Sequence, residues 1–348
     1  MAVKVNYKMV QLAREARGFS QVELSEKAEI PQGNLSRMEN GSVGITPQIL
    51  RRIATELDYP KEFFYRNDTI YPSNTHYRKR VVLAQKILLR TEALMNIYRF
   101  NVQDMLQSLE ISVNLPIIEN EYGSPSRVAN YLRSFWKVPS GPINNLSEII
   151  ESNGIIVIDF DFGTDKIEGR SIVTETGHPI LFINKNSSGD RQRLTLAHEL
   201  GHLIMHLKTL PTLRDEEQEA WDFAHEFLAP FEEVKRQLRG KVNLSVLADL
   251  KRVWKVSMAG FLKRLQDNGA VSYNAARYLW SQFSARGYRK GEPIFIEQER
   301  PTLLKRMINL FQTDLEYSKI ELQNLFTINE KDLKGSYMSV GVSKLKVV

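Results

Sequence analysis

Apolar residues recur at helical spacing along most of this chain, and only two short runs depart from that pattern. The helical spacing covers the first 70 residues, a basic stretch from Tyr77 to about Glu110, and nearly everything after Arg191. Ile155–Ile158 and Ile180–Ile183 are instead compact, Ile-rich runs that predict strands. We therefore expect a fold that is mostly α with a small β-sheet, of the α+β class.

Turn-forming residues predict where this fold divides. The sequence from Tyr71 to Asn74 is typical of a boundary, and Pro116 and Gly123 interrupt the chain again. Glycines between the two strand runs predict hairpin turns in the sheet; these are Gly163, Gly169 and Gly177. We expect a helical module at 1–70, a helical linker at 71–120, a compact core at 121–240 and a C-terminal helical region at 241–348.

A capping box marks the start of a short helix near the N-terminus. Ser20 and Glu23 stand three residues apart, so each can satisfy a backbone amide of the first helical turn. The helix is predicted to run from Gln21 to about Ala28. Val22 and Leu24 are expected to face inward.

A second short helix, Gln32–Glu39, follows at once, and Asn40-Gly41 supplies a favourable C-cap. Two short helices joined by a tight turn have helix-turn-helix geometry. With Leu35 and Met38 in the core, the other side chains are available to base edges, because amides pair with adenine and Arg with guanine. Gln21 is placed to hold a phosphate. The candidate DNA-contacting residues are Gln21, Gln32, Gly33, Asn34, Ser36 and Arg37. An ordinary helical bundle whose polar face meets water is the alternative.

The run RGFSQVELSEKAEIPQGNLSRMENG, followed by ILRRIATELDYPKEFF, closely resembles the Xre/Cro-type helix-turn-helix family over about Met9–Phe64. The resemblance implies a five-helix module that binds double-stranded operator DNA, usually as a homodimer. It also implies that Gln32–Arg37 belongs to the recognition helix. Gly33 is a departure, because glycine lowers helix propensity by ~1 kcal/mol relative to Ala.

Three of the six histidines fall within LTLAHELGHLIMH, which contains an H-E-x-x-H sequence at His198, Glu199 and His202. A spacing of four puts both imidazoles on one helix face, where they can bind a single Zn²⁺. Such an ion lowers the pKa of its water, and Glu199 can take the proton as the hydroxide attacks a peptide carbonyl. A helix that exposes His and Glu by chance is the alternative, but the apolar flanks predict a buried helix, where unpaired histidines are costly.

A catalytic zinc normally has three protein ligands. The metzincin extension is excluded, because Met205 and Lys208 stand where that class needs Gly and His. Residues 215–219 open the next helix with an acidic run, from which Glu217 can point inward beside small residues. Glu219 is the rival ligand and Glu216 a weaker one. A charged helix N-terminus favoured by the helix dipole explains the same run without a metal.

Other histidines are not expected to bind the ion directly. Two turns after His198, the helical period has rotated His206 about 80° away from it. We therefore expect His206 to support the ligands or the fold. His225 is interpreted as a surface or packing residue, and no role is assigned to His76 or His178.

The longer stretch HPILFINKNSSGDRQRLTLAHELGHLIMH, continued by EQEAWDFAHEFLAP, strongly resembles the ImmA/IrrE-type zinc metallopeptidase family over about Gly141–Pro230. The resemblance implies a zincin-like core, with His198, His202 and Glu217 as ligands and Glu199 as catalytic base. It also implies cleavage of a DNA-bound repressor. The family commonly has Asn or Asp four residues after the ligand Glu, where this chain has Trp221, so a polar partner is missing or Asp222 replaces it.

Charge and composition limit which kinds of site and which cellular location are expected for this chain. The chain has no cysteine, which excludes disulfides and Cys-ligated zinc, and it has neither a signal-peptide pattern nor a long apolar run. A cytoplasmic protein without membrane contact is expected. Residues 239–300 hold twelve Lys/Arg against five Asp/Glu, which indicates either a solvated face or a surface for DNA or an acidic peptide. The segment from Leu250 to Pro293 resembles the tail of long family members and implies association with the peptidase core.

The sequence thus predicts a transcriptional regulator with a zinc-dependent endopeptidase site, acting on a partner Xre-type repressor or a toxin-system or mobile-element regulator. The alternative is a transcription factor whose zinc pocket is a sensor or structural site. In a third hypothesis, the peptidase cuts its own connector between about residues 65 and 120.

Overall fold

The computed structural model describes residues 4–71, 84–116, 118, 123–206 and 215–338. The fold is mostly α with one three-stranded sheet, which confirms the expected class. Within the described residues, every helix is either too short or too polar to span a bilayer. His76 and the C-terminal residues 339–348 lie outside the described residues.

The N-terminal module holds four α-helices and one 3-10 helix: α1 Tyr7–Ala16, α2 Gln21–Lys27, α3 Gln32–Glu39, α4 Pro47–Leu57 and the 3-10 helix Lys61–Tyr65. The fifth helix of the expected module is therefore this single 3-10 element. The capping box of Ser20 and Glu23 is present. The inward placement of Val22 is wrong, since it is 53% exposed while Leu24 is buried. Positions two apart on a helix lie about 200° apart, so both cannot face the core.

The middle of the chain alternates helices and strands: α5 Gln85–Leu106, α6 Pro125–Phe135, α7 Leu146–Ser152, β1 Ile156–Phe160, β2 Gly169–Val173 and β3 Pro179–Asn184. The strand order is β1-β3-β2, with β1 parallel and β2 antiparallel to β3. Within the described residues, β2 and β3 alone form a hairpin, which turns at Gly177, where φ is +88°. Of the hairpin turns expected at Gly163, Gly169 and Gly177, the one at Gly177 joins β2 to β3, whereas Gly169 lies within β2 and β1 does not pair with β2.

Helices make up the rest: α8 Gly189–Met205, α9 Glu216–Leu228, α10 Phe231–Gln237, α11 Leu244–Trp254, α12 Met258–Asp267, α13 Tyr273–Ala285, α14 Leu303–Thr313, α15 Lys319–Phe326, α16 Glu330–Asp332 and a π-helical turn Leu333–Met338. A capping box of Ser318 and Glu321 opens α15.

Two hydrophobic cores hold the molecule together. One buries α6, α7, one face of the sheet and α8–α13. The other joins the N-terminal module, α5, the opposite face of the sheet and α14 onward, with Phe100, Phe182 and Phe326 buried in it. The predicted linker region therefore contains a helix that is part of a core. The division at residues 70, 120 and 240 stays a prediction, because one core crosses all three positions.

Candidate metal centre

The candidate centre lies where α8 crosses α9. His198 and His202 stand one turn apart on α8, and Glu217 lies in the first turn of α9. Gly201, between the two histidines, permits this crossing. A Cβ at that position would lie 3.0 Å from the Phe223 ring and 3.4 Å from the Cα of Ala220. The glycine of H-E-L-G-H thus brings the helix that carries Glu217 close to the histidines.

The three side chains converge on one point. The Nε2 atoms of His198 and His202 are 3.1 Å apart. The Glu217 carboxylate oxygens lie 3.7 Å from His198 Nε2 and 3.4 Å from His202 Nε2. Two ligands held ~2.0–2.1 Å from a tetrahedral ion are themselves about 3.3 Å apart. These separations fit a single cation, so the three groups can hold a metal ion.

The protonation of the histidines is set by burial and by Glu217. Burial, aided by the nearby His202, lowers the pKa of His198 to about 3, so its imidazole is neutral at pH 7. Burial also acts to lower the pKa of His202, but the hydrogen bond with Glu217 and the charge of Glu199 outweigh it and raise that pKa. A neutral imidazole is the form that binds a metal.

Glu199 is on α8, and its side chain faces the edge strand β2. It is buried, and burial raises the pKa of its carboxyl group, although a hydrogen bond with Ser171 and the charge of Arg170 oppose that rise. Gly169 permits the close approach of β2, since a Cβ there would lie 2.6 Å from Thr195 and 3.4 Å from Cγ of Glu199. Among the described residues, Glu199 Oε1 has no hydrogen-bond partner.

The rival carboxylate serves a different histidine. His206 Nε2 lies 3.1 Å from Oε2 of Glu219, and His206 Nδ1 lies 3.0 Å from Nδ1 of His202. A chain of contacts therefore runs from Glu219 through His206 to the back of His202. This arrangement places His206 behind a predicted ligand, where the sequence suggested it would support the site. Glu216 contributes its charge to His202 and His206.

Two further histidines lie in other surroundings. His225 is partly buried at the end of α9, and burial together with the charge of Arg264 lowers its pKa to about 4. His178 bonds through Nε2 to the carbonyl oxygen of Ile111 at 2.7 Å.

Trp221 covers the ring of His198. The two ring centroids are 3.9 Å apart, with a 33° angle between the planes. His198 Nδ1 is buried and has no hydrogen-bond partner among the described residues. Asp222 does not take the place of the missing polar residue, because its side chain is exposed and bonds to Gln218. Consecutive residues of a helix lie about 100° apart around its axis. Asp222 follows Trp221 directly, so it points away from the histidines.

The candidate DNA-contacting residues lie together on α3 and the start of α2. Gln32, Gly33 and Arg37 are exposed, whereas Asn34 and Ser36 are half-buried. Arg37 bonds to Asn34 Oδ1 at 2.6 Å, which orders both side chains on the open face of α3. Gln21 donates to Glu39 at 2.8 Å and accepts from Gln32 at 3.3 Å, so its amide helps to join α2 to α3. Leu35 and Met38 are buried, as expected.

Sequence reasoning missed Ser171 and Arg170, the β2 residues that act on Glu199. The run GRSIV has too few apolar residues to stand out as a strand, and only Gly169 marked it, as a turn. The stacking of Trp221 on His198 was also missed. The helical period of α9 was its one available indication, since a residue four positions after Glu217 lies on the same face.

Two segments of the chain match known families. Residues 10–64 match the family described as helix-turn-helix, and residues 150–266 match the IrrE N-terminal-like domain of the M78 peptidases. Among proteins of curated function, none matches at a significant level. A crystal structure of Bacillus thuringiensis PlcR in complex with the peptide PapR7 and DNA aligns with 92% of this chain and 90% of that chain, at 12% identity and a TM-score of 0.18. A TM-score this low supports no inference from that protein. The two family matches agree with the resemblances in the sequence: this chain is a fusion of an Xre-type helix-turn-helix domain with an ImmA/IrrE-type domain.

Proposed function

We propose that this DNA-binding regulator carries a zinc-dependent endopeptidase site, with His198, His202 and Glu217 as ligands and Glu199 as general base. The observation that carries the proposal is the convergence of two Nε2 atoms and one carboxylate within 4.8 Å of one another. The match to the M78 peptidases supports the reaction class. Nitrogen and carboxylate donors suit zinc, whose catalytic sites keep three protein ligands and an open position.

Each residue has a defined part in peptide hydrolysis. A bound zinc ion supplies Lewis acidity and lowers the pKa of its water to ~7. Glu199 takes a proton at its carboxylate and passes it to the departing amine, and its raised pKa favours that proton-holding form. The Ser171 hydroxyl holds the Glu199 carboxylate toward β2. Since β2 is an edge strand, its open side can pair with an extended substrate segment.

The expected substrate is a partner repressor or a toxin-system or mobile-element regulator. New protein termini are compared in cells that make the wild-type chain, Glu199→Gln or Asp222→Asn. The wild type and Asp222→Asn should produce the same new termini, and Glu199→Gln should produce none although it binds zinc normally. If Glu199→Gln cleaves the partner as the wild type does, this mechanism is wrong.

A transcription factor with a sensory or structural metal pocket is the second candidate. Trp221 favours it, because the second ring N–H of a metal-binding histidine normally donates a hydrogen bond to a polar partner. Nδ1 of His198 has no such partner among the described residues. In this case Glu199→Gln leaves gene regulation intact, whereas replacing Asn34 and Arg37 abolishes it. Cleavage of the chain's own connector is a third outcome, which incubation of zinc-loaded protein followed by mass measurement would detect.

Recognition of operator DNA rests on α3. Binding sites are selected from random duplexes, and affinity is then measured from 50 to 200 mM salt. Arg37→Ala should weaken binding to the selected site by about 5- to 150-fold, since a base contact is worth ~1–3 kcal/mol. Arg252→Ala, an exposed arginine on α11, serves as the control. A salt-independent affinity would contradict the operator proposal, because phosphate contacts release counterions. Homodimer formation on the operator stays a prediction.

A further inference from the structure

Aromatic and cationic side chains surround a cavity of about 370 Å³ beside α13, in the C-terminal part of the chain. The lining residues are Gln266, Tyr273, Arg277, Trp280 and Arg289. Tyr273 is 70% exposed, so most of the residue is open to a ligand. None of these residues belongs to the candidate metal centre or to the helix-turn-helix.

Helical periodicity places three of them on one stripe. Residues four and seven positions after Tyr273 return to within about 40° of it, which brings Arg277 and Trp280 beside its ring. The buried side of α13 is separate from this stripe and is formed by Ala276, Leu279 and Phe283. Tyr273 and Arg277 are thus exposed on this stripe, while Trp280 is half-buried and packs against the core on one side.

Local contacts fix the floor of the cavity. Trp280 Nε1 donates to Oε1 of Gln266 at 3.3 Å, which holds the indole against α12. The guanidinium of Arg289 lies 5.8 Å from the Trp280 ring centroid, and its Nε bonds to Ser284 at 2.8 Å. The indole and one arginine are therefore positioned before any ligand arrives.

The segment that supplies most of the lining residues carries a net positive charge. Residues 268–291 contain four Lys/Arg and no Asp or Glu. Asp267, which precedes this segment, is paired with Lys263 at 2.7 Å. Neither Arg277 nor Arg289 forms an ion pair within the described residues. Most buried arginines in the described fold have carboxylate or carbonyl partners. Arg277 and Arg289 have no carboxylate partner there, so both are available to an anion.

From this combination we infer that the α13 cavity binds a single-stranded nucleic acid, with one base on Tyr273 and its flanking phosphates at Arg277 and Arg289. Unpaired bases stack on exposed aromatic rings, and cations that follow the backbone hold the strand. Duplex DNA keeps its bases stacked inside and would leave the open Tyr273 ring unused. An acidic peptide would use the arginines but gives no reason for a ring that is 70% exposed beside them.

The chain offers matched controls for each contact. Tyr278 is 65% exposed on the same helix but does not line the cavity. Arg286 follows α13, is exposed and also lies outside the cavity. Tyr273→Ala is therefore compared with Tyr278→Ala, and Arg277→Gln with Arg286→Gln. All four replace exposed side chains, and thermal unfolding of each variant verifies that the fold is kept.

Binding of fluorescein-labelled (dT)15 to the full chain is measured by anisotropy over a range of salt. Tyr273→Ala should weaken binding at least fivefold, while Tyr278→Ala changes it less than twofold. Arg277→Gln should reduce the slope of log affinity against log salt by roughly 0.7, and Arg286→Gln should leave the slope unchanged. Labelled (U)15 in a parallel series tells whether DNA or RNA is preferred, because only RNA offers a 2′-hydroxyl.

Three outcomes would overturn the inference. The first is equal loss in Tyr273→Ala and Tyr278→Ala, which would show that the cavity is not the site. The second is a loss in Tyr273→Ala that is as large for a duplex of the same length as for (dT)15, since the helix-turn-helix binds duplex without Tyr273. The third is displacement of (dT)15 by poly-glutamate at the same concentration of charge, which would assign the surface to acidic peptides.

Discussion

Trp221 stacks on His198 at 3.9 Å between ring centroids, in a position where the ImmA/IrrE resemblance suggests a polar residue. The ring of a metal-binding histidine is usually oriented by a hydrogen bond to its second nitrogen. Here Nδ1 of His198 is buried with no partner among the described residues, and a tilted indole packs against the ring instead. We propose that packing against Trp221 orients the His198 ring in place of such a hydrogen bond.

Replacing Trp221 should therefore change metal affinity according to ring shape. Trp221→Phe keeps a stacking surface and should bind zinc within threefold of the wild type. Trp221→Ala frees the His198 ring and should weaken binding ~10–100-fold, the range typical of lost supporting contacts. Competition with a zinc chelator measures both. Equal affinities for the Phe and Ala variants would show that stacking does not orient the ligand.

His225 should make the metal-free protein sensitive to acid. Burial lowers its pKa to about 4, so the folded state binds fewer protons than the unfolded state, whose His titrates near ~6.5. The stability from this group is complete above pH ~6.5 and is lost as the pH falls toward ~4. Between pH 7 and pH 4.5 the loss should be about 2 kcal/mol.

Urea unfolding of metal-free wild type and His225→Gln at several pH values measures this effect. The variant should lose less stability than the wild type over that interval. Equal pH dependence in the two proteins would contradict the assignment. Metal-free protein is needed because acid also releases a metal from its histidines.

The shared core predicts that the C-terminal helices stabilise the DNA-binding module. Arg17, directly after α1, pairs with Asp332 of α16, and Asn101 of α5 bonds to the Tyr337 hydroxyl at 2.5 Å. Phe326 is fully buried in the same core. Phe326→Ala should lower the free energy of unfolding by ~3–5 kcal/mol.

The region of the structure that Phe326→Ala destabilises is as informative as the change in the free energy of unfolding. Hydrogen exchange in α1 should accelerate in Phe326→Ala, although the substitution is more than 300 residues away in sequence. Phe295→Ala, at a site that is 80% exposed, is the control and should change neither quantity. Normal protection of α1 in Phe326→Ala would mean that the module and the C-terminal helices unfold independently.

Gly189 should be intolerant of any side chain because an extended segment crosses it. A Cβ there would overlap the carbonyl oxygens of Ile296 and Glu297. Glu299 of the same segment pairs with the fully buried Arg193 of α8. Gly189→Ala should therefore destabilise the protein by about 1–3 kcal/mol, the usual effect of overpacking. Thermal unfolding measures this effect, with Gly291→Ala as the control. A Cβ at position 291 would meet nothing within 4 Å, so that substitution should be neutral. Similar effects of the two substitutions would contradict this account.

Local patterns in the sequence were sufficient for most elements of the fold. The bounds of α3, the capping box at Ser20 and the strand runs around Ile156 and Ile180 all follow from periodicity and capping chemistry. The same patterns placed two histidines on one face of α8. These features depend on residues within one or two turns of each other, which is why they could be predicted.

Long-range packing was beyond the reach of those patterns. The parallel pairing of β1 with β3 depends on contacts between distant segments, and so does the burial of α5 between the N-terminal module and the sheet. The choice between Glu217 and Glu219 was open in the sequence because the two carboxylates lie in the same helical turn. The crossing angle of α8 and α9, permitted by Gly201, decides which carboxylate faces which histidine.

Equilibrium zinc binding to matched variants of the full chain tests the central claim most directly. The wild type should bind one zinc ion per chain, and Glu217→Gln should weaken that binding by more than the ~10–100-fold effect of lost supporting contacts. Glu219→Gln, which alters only the carboxylate behind His206, should weaken it tenfold or less. Wild-type affinity in Glu217→Gln, or an equal loss in Glu219→Gln, would contradict the assignment of the ion to His198, His202 and Glu217.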